Sequence, residues 1–206
     1  MMRLYRAPYS TNVERVALAL AHKGLEVESV WIEYSDRSPV ERVSGQSLVP
    51  VLELDDGSVV FDSMQIVRVL EERFPHPPLY PADAIGRARM MSFINWFNDR
   101  WKLAPNDIEA EIEREEPDIA RIDALAGQMA AALDRFERML GGRPYLMGDA
   151  FSAADCAAYP FLKYALWRDP ADDEVFHRVL DGYQKLGDGH KGLAAWIDRV
   201  GRHPQV

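Results

Sequence analysis

Cysteines, basic runs and long apolar stretches are all scarce in this chain of 206 residues. Its one cysteine, Cys156, excludes an internal disulfide and any CxxC redox pair. The net charge of −9, without a basic run that carries interleaved aromatics, argues against a nucleic-acid binder. No segment approaches the roughly 18 consecutive apolar residues of a membrane helix, and the opening MMRLYRAPYS lacks an apolar signal-peptide core. We therefore expect a cytoplasmic protein with neither nucleic acid nor membrane as a partner.

The order of local patterns divides the chain into two domains. The composition, 48% hydrophobic and 28% charged, is ordinary for a globular protein. Residues 1–76 alternate strand and helix patterns, residues 77–84 belong to a proline-rich stretch, and residues 85–206 have a helical pattern throughout. The sequence thus predicts an α/β domain over residues 1–76, a linker over 77–84 and a helical domain over 85–206.

The most informative stretch is QSLVPVLELDDGSVVFDSMQIVRVLEERFP at residues 46–75. Residues 51–54 alternate like a half-buried strand, DDGS is typical of a hairpin turn, and residues 59–61 return as the antiparallel partner. Asp62 and Ser63 then begin a helix. Because proline lacks a backbone N–H, Pro50 must lie just before the strand, at a position where no N–H donor is needed. A cis Val49–Pro50 bond in a tight turn would satisfy this requirement.

These motifs resemble the N-terminal domain of the cytosolic glutathione S-transferases, which carries V-P-x-L, a hairpin, and an acidic residue before serine. Upstream, LYRAPYSTNVERVALALAHKG resembles the family's first strand and helix, and downstream, YLMGDAFSAADCAAYPFL resembles its C-terminal domain. There Ser152 and Asp155 match an S-x-x-D helix-start box. The resemblance implies a thioredoxin-like α/β domain with a mixed four-stranded sheet, followed by an all-α C-terminal domain. Ser47 departs from the usual glycine, and Asp62 from the more common glutamate.

The resemblance implies a catalytic hydroxyl at Ser10, because serine-type classes hold theirs five residues before the position of Arg15. A hydroxyl at a helix start is, in most proteins, only an N-cap, so Ser10 has a purely structural alternative. Three other hydroxyls compete with it: Tyr5, Tyr9 and Thr11. Tyr5 is the main rival, since other classes use a tyrosine at the end of the first strand, although a place within a strand favours core packing.

The same resemblance implies a glutathione site in the first domain. Leu48, Val49 and Pro50 would face the cysteinyl part of the tripeptide, whose backbone pairs with Val49 in a strand-like manner. Asp62 and Ser63 would meet the γ-glutamyl group, and both would also cap the helix that they begin. Glutathione is therefore the expected cosubstrate. No metal is expected, because the five histidines show no ligand spacing.

The electrophile's pocket is expected on the first helix after the linker, where Trp96, Asn98 and Trp101 are candidates. The alternative is a purely structural role in core packing, since Phe93, Phe97 and Trp101 share one face at four-residue spacing.

Together these features imply a homodimeric enzyme that activates the glutathione thiol for attack on a small hydrophobic electrophile. Conjugation, isomerisation, dehalogenation and peroxide reduction all begin in this way. The competing hypothesis is a non-catalytic module that resembles the stringent starvation protein and uses the same fold for protein contacts. A third hypothesis is that the thiol is not glutathione, since Ser47 and Asp62 lie beside the recognition elements.

Overall fold

The computed structural model describes residues 1–206, which form two compact units. One unit comprises Met1–Tyr80 and His203–Val206, and the other comprises Pro81–Arg202. None of the helices combines the length and apolar character that a membrane span requires.

The first unit is built on a four-stranded mixed sheet with the order β2-β1-β3-β4. Its elements, in chain order, are β1 (Arg3–Arg6), α1 (Thr11–His22), β2 (Glu28–Trp31), α2 (Ser38–Ser44), β3 (Val51–Glu53), β4 (Val59–Phe61) and α3 (Ser63–Arg73). Strands β1 and β2 are parallel, whereas β3 is antiparallel to both β1 and β4. The α/β fold expected for this part of the chain is confirmed.

Apolar residues of β1 and β3 are buried on both faces of the sheet: Leu4 and Leu52 lie on one face, and Tyr5 and Val51 lie on the other. Tyr5, Val40 and Val51 belong to one buried cluster, in which Val40 is the contribution of α2. No helix was predicted at α2. It is seven residues long, and only one of its residues is fully buried, so its sequence carries no helical stripe to detect.

A buried lysine ties the helices of this unit to the chain that follows α3. Lys23, at the end of α1, donates from Nζ to the Glu71 carboxylate and to the carbonyls of Phe74 and Pro77, at 2.7–3.0 Å. The Glu71 carboxylate also accepts the backbone N–H of Leu79 at 3.0 Å. All three donors of the ammonium are therefore satisfied, which is what a buried charge requires.

The second unit is helical throughout. Its elements are α4 (Ala84–Trp96), a π-helical turn (Phe97–Trp101), α5 (Leu103–Ile112), α6 (Ile119–Leu140), α7 (Ala153–Leu162), a 3-10 turn (Lys163–Ala165), α8 (Val175–Tyr183) and α9 (Lys191–Gly201). Every residue of α7 is buried, so this helix lies at the centre of the unit. It begins with the capping box predicted for Ser152 and Asp155.

Candidate functional site

The sheet register brings three predicted motifs to one end of the first unit. Tyr5 of β1 pairs with Val51 of β3, and Val51 pairs with Phe61 of β4. The segments just after β1, just before β3 and just after β4 therefore leave the sheet at the same end. These segments contain Ser10, the Val49–Pro50 bond and the Asp62–Ser63 pair.

The Val49–Pro50 bond is cis, as predicted, and it directly precedes β3. Neither the N–H nor the C=O of Val49 makes a hydrogen bond within the chain. The backbone before it is held in place by Gln46, whose amide donates to the Leu48 carbonyl at 3.0 Å and accepts the Leu48 N–H at 2.6 Å. Leu48 itself is 71% exposed. A fixed segment with open backbone groups can pair with another extended chain.

Ser10 is the N-cap of α1. Its Oγ accepts the backbone N–H of Val13 at 3.3 Å, and the residue is half-buried. A hydroxyl can accept one hydrogen bond and donate another, so this cap leaves the Ser10 proton able to donate to an anion. The positive end of the α1 dipole lies at the same place. Capping and anion binding are therefore compatible at Ser10.

Asp62 and Ser63 begin α3 and connect it to α1. The Asp62 carboxylate accepts the N–H groups of Met64 and Gln65 at 3.0 and 2.9 Å. The hydroxyl of Ser63 accepts from Nη1 of Arg15 at 3.3 Å, and both residues are almost fully buried. Arg15 thus links the two helix starts. Its burial and its partner were not predicted, because Arg15 and Ser63 are 48 positions apart in the sequence.

The rival hydroxyls lie in different environments. Tyr5 is buried in the sheet core, and its hydroxyl donates to the Glu53 carboxylate at 3.1 Å. Burial and this hydrogen bond raise the pKa of Tyr5 above its ordinary value. Thr11 is a buried residue in the first turn of α1, and Tyr9 is 39% exposed. The hydroxyl of Tyr5 therefore already donates its proton within the chain.

Backbone strain is concentrated at the two helix starts. Tyr9 and Asp62 are the only non-glycine residues with positive φ, at 58° and 67°. One directly precedes the N-cap of α1, and the other is the N-cap of α3. Such conformations cost about 1–3 kcal/mol each and cluster at functional sites. Both strained residues border the segments that the sheet register brings together.

The residues proposed to line the electrophile's pocket differ in burial. Trp101 is buried among Phe97, Phe136 and Phe161, as the packing alternative for this residue expects. Trp96 is half-buried and lines, with Trp101, a cavity of about 190 Å³ in the second unit. Asn98 is half-buried but does not line this cavity. No group of three or more His, Cys, Asp or Glu side chains is placed to hold a metal ion.

Comparison with known proteins agrees with this architecture. Residues 4–78 match the N-terminal domain of glutathione S-transferases, and residues 119–199 match the C-terminal domain. Maleylpyruvate isomerase of Ralstonia sp is 31% identical over 181 residues, which cover 80% of this chain and 82% of that protein. The chain therefore belongs to the glutathione S-transferase family, with no class assigned.

Other relatives include proteins whose names are not those of enzymes. The stringent starvation protein A homolog of Coxiella burnetii is 29% identical over 178 residues, 82% of this chain and 77% of that protein. Among solved structures, a glutathione S-transferase from Rhodospirillum rubrum is 25% identical, with a TM-score of 0.77 over 99% of this chain and 89% of the other. A theta-class enzyme of Xanthomonas axonopodis, solved with glutathione bound, shares the fold at 22% identity and a TM-score of 0.73, over 100% and 97% of the two chains.

Proposed function

We propose that this protein is an enzyme that binds glutathione and activates its thiol for attack on a small hydrophobic electrophile. The observation that carries the proposal is the sheet register, which groups the starts of α1 and α3 with the open backbone of Val49. Two helix starts favour negative charge, and an unpaired extended segment favours a peptide. An acidic tripeptide with a reactive thiol satisfies both requirements.

The bound tripeptide would use each part of the site for a different group. Its cysteinyl backbone would pair with Val49, and its γ-glutamyl carboxylate would accept from the hydroxyl and the backbone N–H of Ser63. The next two N–H groups of α3 already donate to the Asp62 carboxylate. The carboxylate of Asp62 would attract the γ-glutamyl amine. The thiol would then lie at the start of α1, beside Ser10.

The proposal also covers where the electrophile binds and which reaction the thiolate carries out. Trp96, Asn98 and Trp101 remain the candidates for its pocket. A thiolate adds to an activated carbon in conjugation, and in isomerisation the same thiolate adds and later leaves. Two relatives are named maleylacetoacetate isomerase and maleylpyruvate isomerase, which makes isomerisation a reaction to assay alongside conjugation.

Reduced glutathione should raise the melting temperature of the purified protein. A ligand at tenfold excess over its Kd stabilises the folded state by about 1.4 kcal/mol. For a chain of this size that corresponds to roughly 3–6 °C. Cysteinylglycine, which lacks the γ-glutamyl group, is the matched control and should raise it less. A larger response to another cellular thiol would mean that glutathione is not the physiological partner.

Ser10→Ala should lower kcat/KM by about tenfold or more while glutathione affinity stays nearly unchanged. Bringing a thiol from a pKa near 8.5 to about 6.5 requires roughly 2.7 kcal/mol of preferential anion stabilisation. A helix dipole supplies about 0.3–1 kcal/mol, and a hydrogen bond to a charged group about 1.5–3 kcal/mol. The hydroxyl is therefore the larger contribution. Its loss should move the midpoint of the pH–rate profile upward, toward the pKa of the free thiol.

The matched controls for Ser10 are Tyr5→Phe and Tyr9→Phe, which should change kcat/KM much less. Full activity in Ser10→Ala together with loss of activity in Tyr5→Phe would assign the activation of the thiol to Tyr5. Ser10→Gly is a second variant, because glycine is tolerated at an N-cap with a loss of only a few tenths of a kcal/mol. It removes the hydroxyl with little effect on helix stability.

A second candidate function is a non-catalytic binding module. The observation in its favour is that stringent starvation protein A homologs align over nearly the whole chain, for example 26% identity over 97% of it with the protein of Haemophilus influenzae. Capping of α1 would then be the only role of Ser10. A flat thermal response to every thiol, with no turnover of any electrophile, would favour this function over the enzyme.

We also propose that the chain forms a homodimer, because symmetric dimers are the commonest soluble oligomers and the family resemblance points the same way. Light scattering at micromolar concentration should give twice the mass of one chain. A single-chain mass would contradict the dimer without contradicting catalysis.

A further inference from the structure

The last four residues of the sequence, His203–Val206, belong to the first unit, and we call them the C-terminal segment. Nη1 of Arg6, at the end of β1, donates to the backbone oxygen of Val206 at 2.8 Å. Nε2 of Gln205 donates to the carboxylate of Glu14 at 3.1 Å. The C-terminal segment therefore contacts both the end of β1 and the first part of α1.

The two contacts lie on either side of the residues that lead into Ser10. Arg6 is the last residue of β1, and Glu14 lies in the first turn of α1. The backbone N–H of Glu14 donates to the carbonyl of Ser10 at 3.0 Å. A contact that restrains Glu14 therefore also restrains the helical turn that Ser10 begins.

The loop between β1 and α1 is strained and needs support from its surroundings. Tyr9 has a positive φ of 58° and directly precedes Ser10. Strained conformations of this kind persist only where the surrounding structure holds them. One support is the hydroxyl of Tyr34, which donates to the carbonyl of Pro8 at 3.0 Å in an exposed position. The C-terminal segment supplies two more supports, one on each side of the loop.

Two histidines lie side by side where the C-terminal segment begins. The ring centroids of His22, at the end of α1, and His203 are 6.5 Å apart. Nε2–H of His22 donates to the carbonyl of Pro78 at 3.3 Å. The charged groups that face His22 are Lys23 and Glu71, which pair with each other at 2.7 Å. The carboxylate of Glu71 is therefore already neutralised by a lysine.

Protonation of the two histidines opposes the packed position of the C-terminal segment. Burial, aided by the charge of Lys23, lowers the pKa of His22. Burial and the neighbouring His22 lower the pKa of His203. In a released segment His203 has its ordinary pKa of about 6.5, so the released state binds more protons than the packed state. Packing is therefore most favourable above about pH 6.5 and weakens as the pH falls below that value.

We propose that the C-terminal segment holds the start of α1 in place and that acidification releases it. Above about pH 6.5, the contacts of Gln205 and Val206 restrain both sides of the loop that leads into Ser10. In acid the two charged histidines repel each other, the C-terminal segment leaves, and the start of α1 becomes more mobile. The inference concerns the position of these residues, so it stands whether or not Ser10 activates a thiol.

Nitrogen-15 relaxation of the full-length protein measures whether the C-terminal segment is packed. The backbone order parameters of Gln205 and Val206 should be about 0.8 at about pH 7.5 and fall below about 0.6 at about pH 5.5. The double variant His22→Gln with His203→Gln should keep the high value at both pH values, because glutamine can still donate a hydrogen bond but carries no charge. His76→Gln, at an exposed histidine of the same unit, is the matched control and should lose order in acid like the wild type.

Three results of this experiment would overturn the release by acid. The first is low order of the C-terminal segment in the wild type at both pH values. The second is high order in the wild type at both pH values. The third is an equal loss of order in the double histidine variant.

Amide exchange tests whether the C-terminal segment restrains the start of α1. At about pH 7.5, a variant that ends at Arg202 and the variant Arg6→Gln should each exchange the N–H groups of Val13 and Glu14 about threefold or more faster than the wild type. Arg3→Gln, at an exposed arginine of the same strand, is the matched control and should exchange like the wild type.

Combining the two changes separates the C-terminal segment from a local effect of Arg6. The shortened chain with Arg6→Gln should exchange no faster than the shortened chain alone, because both changes remove the same contact with Val206. Wild-type exchange in the shortened chain, or fully additive effects of the two changes, would overturn the proposal. If the shortened chain does not fold, the exchange rates of Arg6→Gln decide alone.

Discussion

Replacing Asp155 with alanine should lower the free energy of unfolding by roughly 3–5 kcal/mol. The carboxylate of Asp155 is fully buried and accepts four hydrogen bonds at 2.7–3.0 Å. The donors are the N–H of Leu146, the N–H and hydroxyl of Ser152, and Nε1–H of Trp196. Alanine would leave all four without an acceptor. Urea unfolding followed by circular dichroism should measure the loss.

Burial limits how much the charge itself contributes at this position. Desolvation raises the pKa of Asp155 and outweighs the opposite effect of its four donors. The expected loss therefore arises mainly from the donors that the substitution leaves unpaired. Asp149→Ala, at an exposed aspartate nearby in the chain, should stay within about 0.5 kcal/mol of the wild type. A loss below about 1 kcal/mol for Asp155→Ala would mean that water or rearranged side chains replace the carboxylate.

The Asp155 network shows where sequence reasoning succeeds and where it ends. The S-x-x-D spacing predicts the capping box of α7, because both partners lie within one turn of helix. It cannot predict that Trp196, 41 positions away, donates to the same carboxylate. That contact depends on how α9 packs against α7. A sequence predicts local motifs, but it does not predict which distant residues packing brings into contact.

The candidate site follows the same division. Turn chemistry and strand alternation predicted the hairpin and the start of α3, and the family resemblance pointed to Ser10. The contact of Arg15 with Ser63 and the support that Gln46 gives to Leu48 were missed. The first depends on the packing of α1 on α3. The second is local, but Ser, Thr, Asn and Asp are the side chains whose local backbone contacts recur in known patterns, and glutamine is not among them.

The π-helical turn could not be predicted from apolar periodicity. Phe93, Phe97 and Trp101 recur every four residues, which an α-helix and a locally widened helix both accommodate. The four-residue spacing correctly indicates that the three rings share a buried face. It carries no information about which carbonyl each N–H reaches. The cavity beside Trp101 could not be predicted from this spacing either.

Ser63→Ala should weaken glutathione binding by about one to two orders of magnitude, or roughly 1.5–3 kcal/mol. The hydroxyl of Ser63 accepts from the buried guanidinium of Arg15, so its own proton remains able to donate to a ligand carboxylate. A hydroxyl that accepts a hydrogen bond from a cation is also a better donor, because the two bonds polarise each other. Isothermal titration calorimetry with reduced glutathione should measure the change in Kd.

Stability and binding must be separated in this variant, because Ser63 also links α3 to α1. The loss of one acceptor for Arg15 should lower the free energy of unfolding by about 1 kcal/mol, since Asn12 still accepts from the same guanidinium at 3.3 Å. Ser92→Ala, at an exposed serine of α4, is the matched control and should change neither quantity. Asp62→Asn preserves the helix cap but removes the charge, so it tests the ligand contact with little effect on folding. Unchanged affinity in both Ser63→Ala and Asp62→Asn would leave Asp62 only its helix cap and Ser63 only its contact with Arg15. The γ-glutamyl group would then have to bind elsewhere.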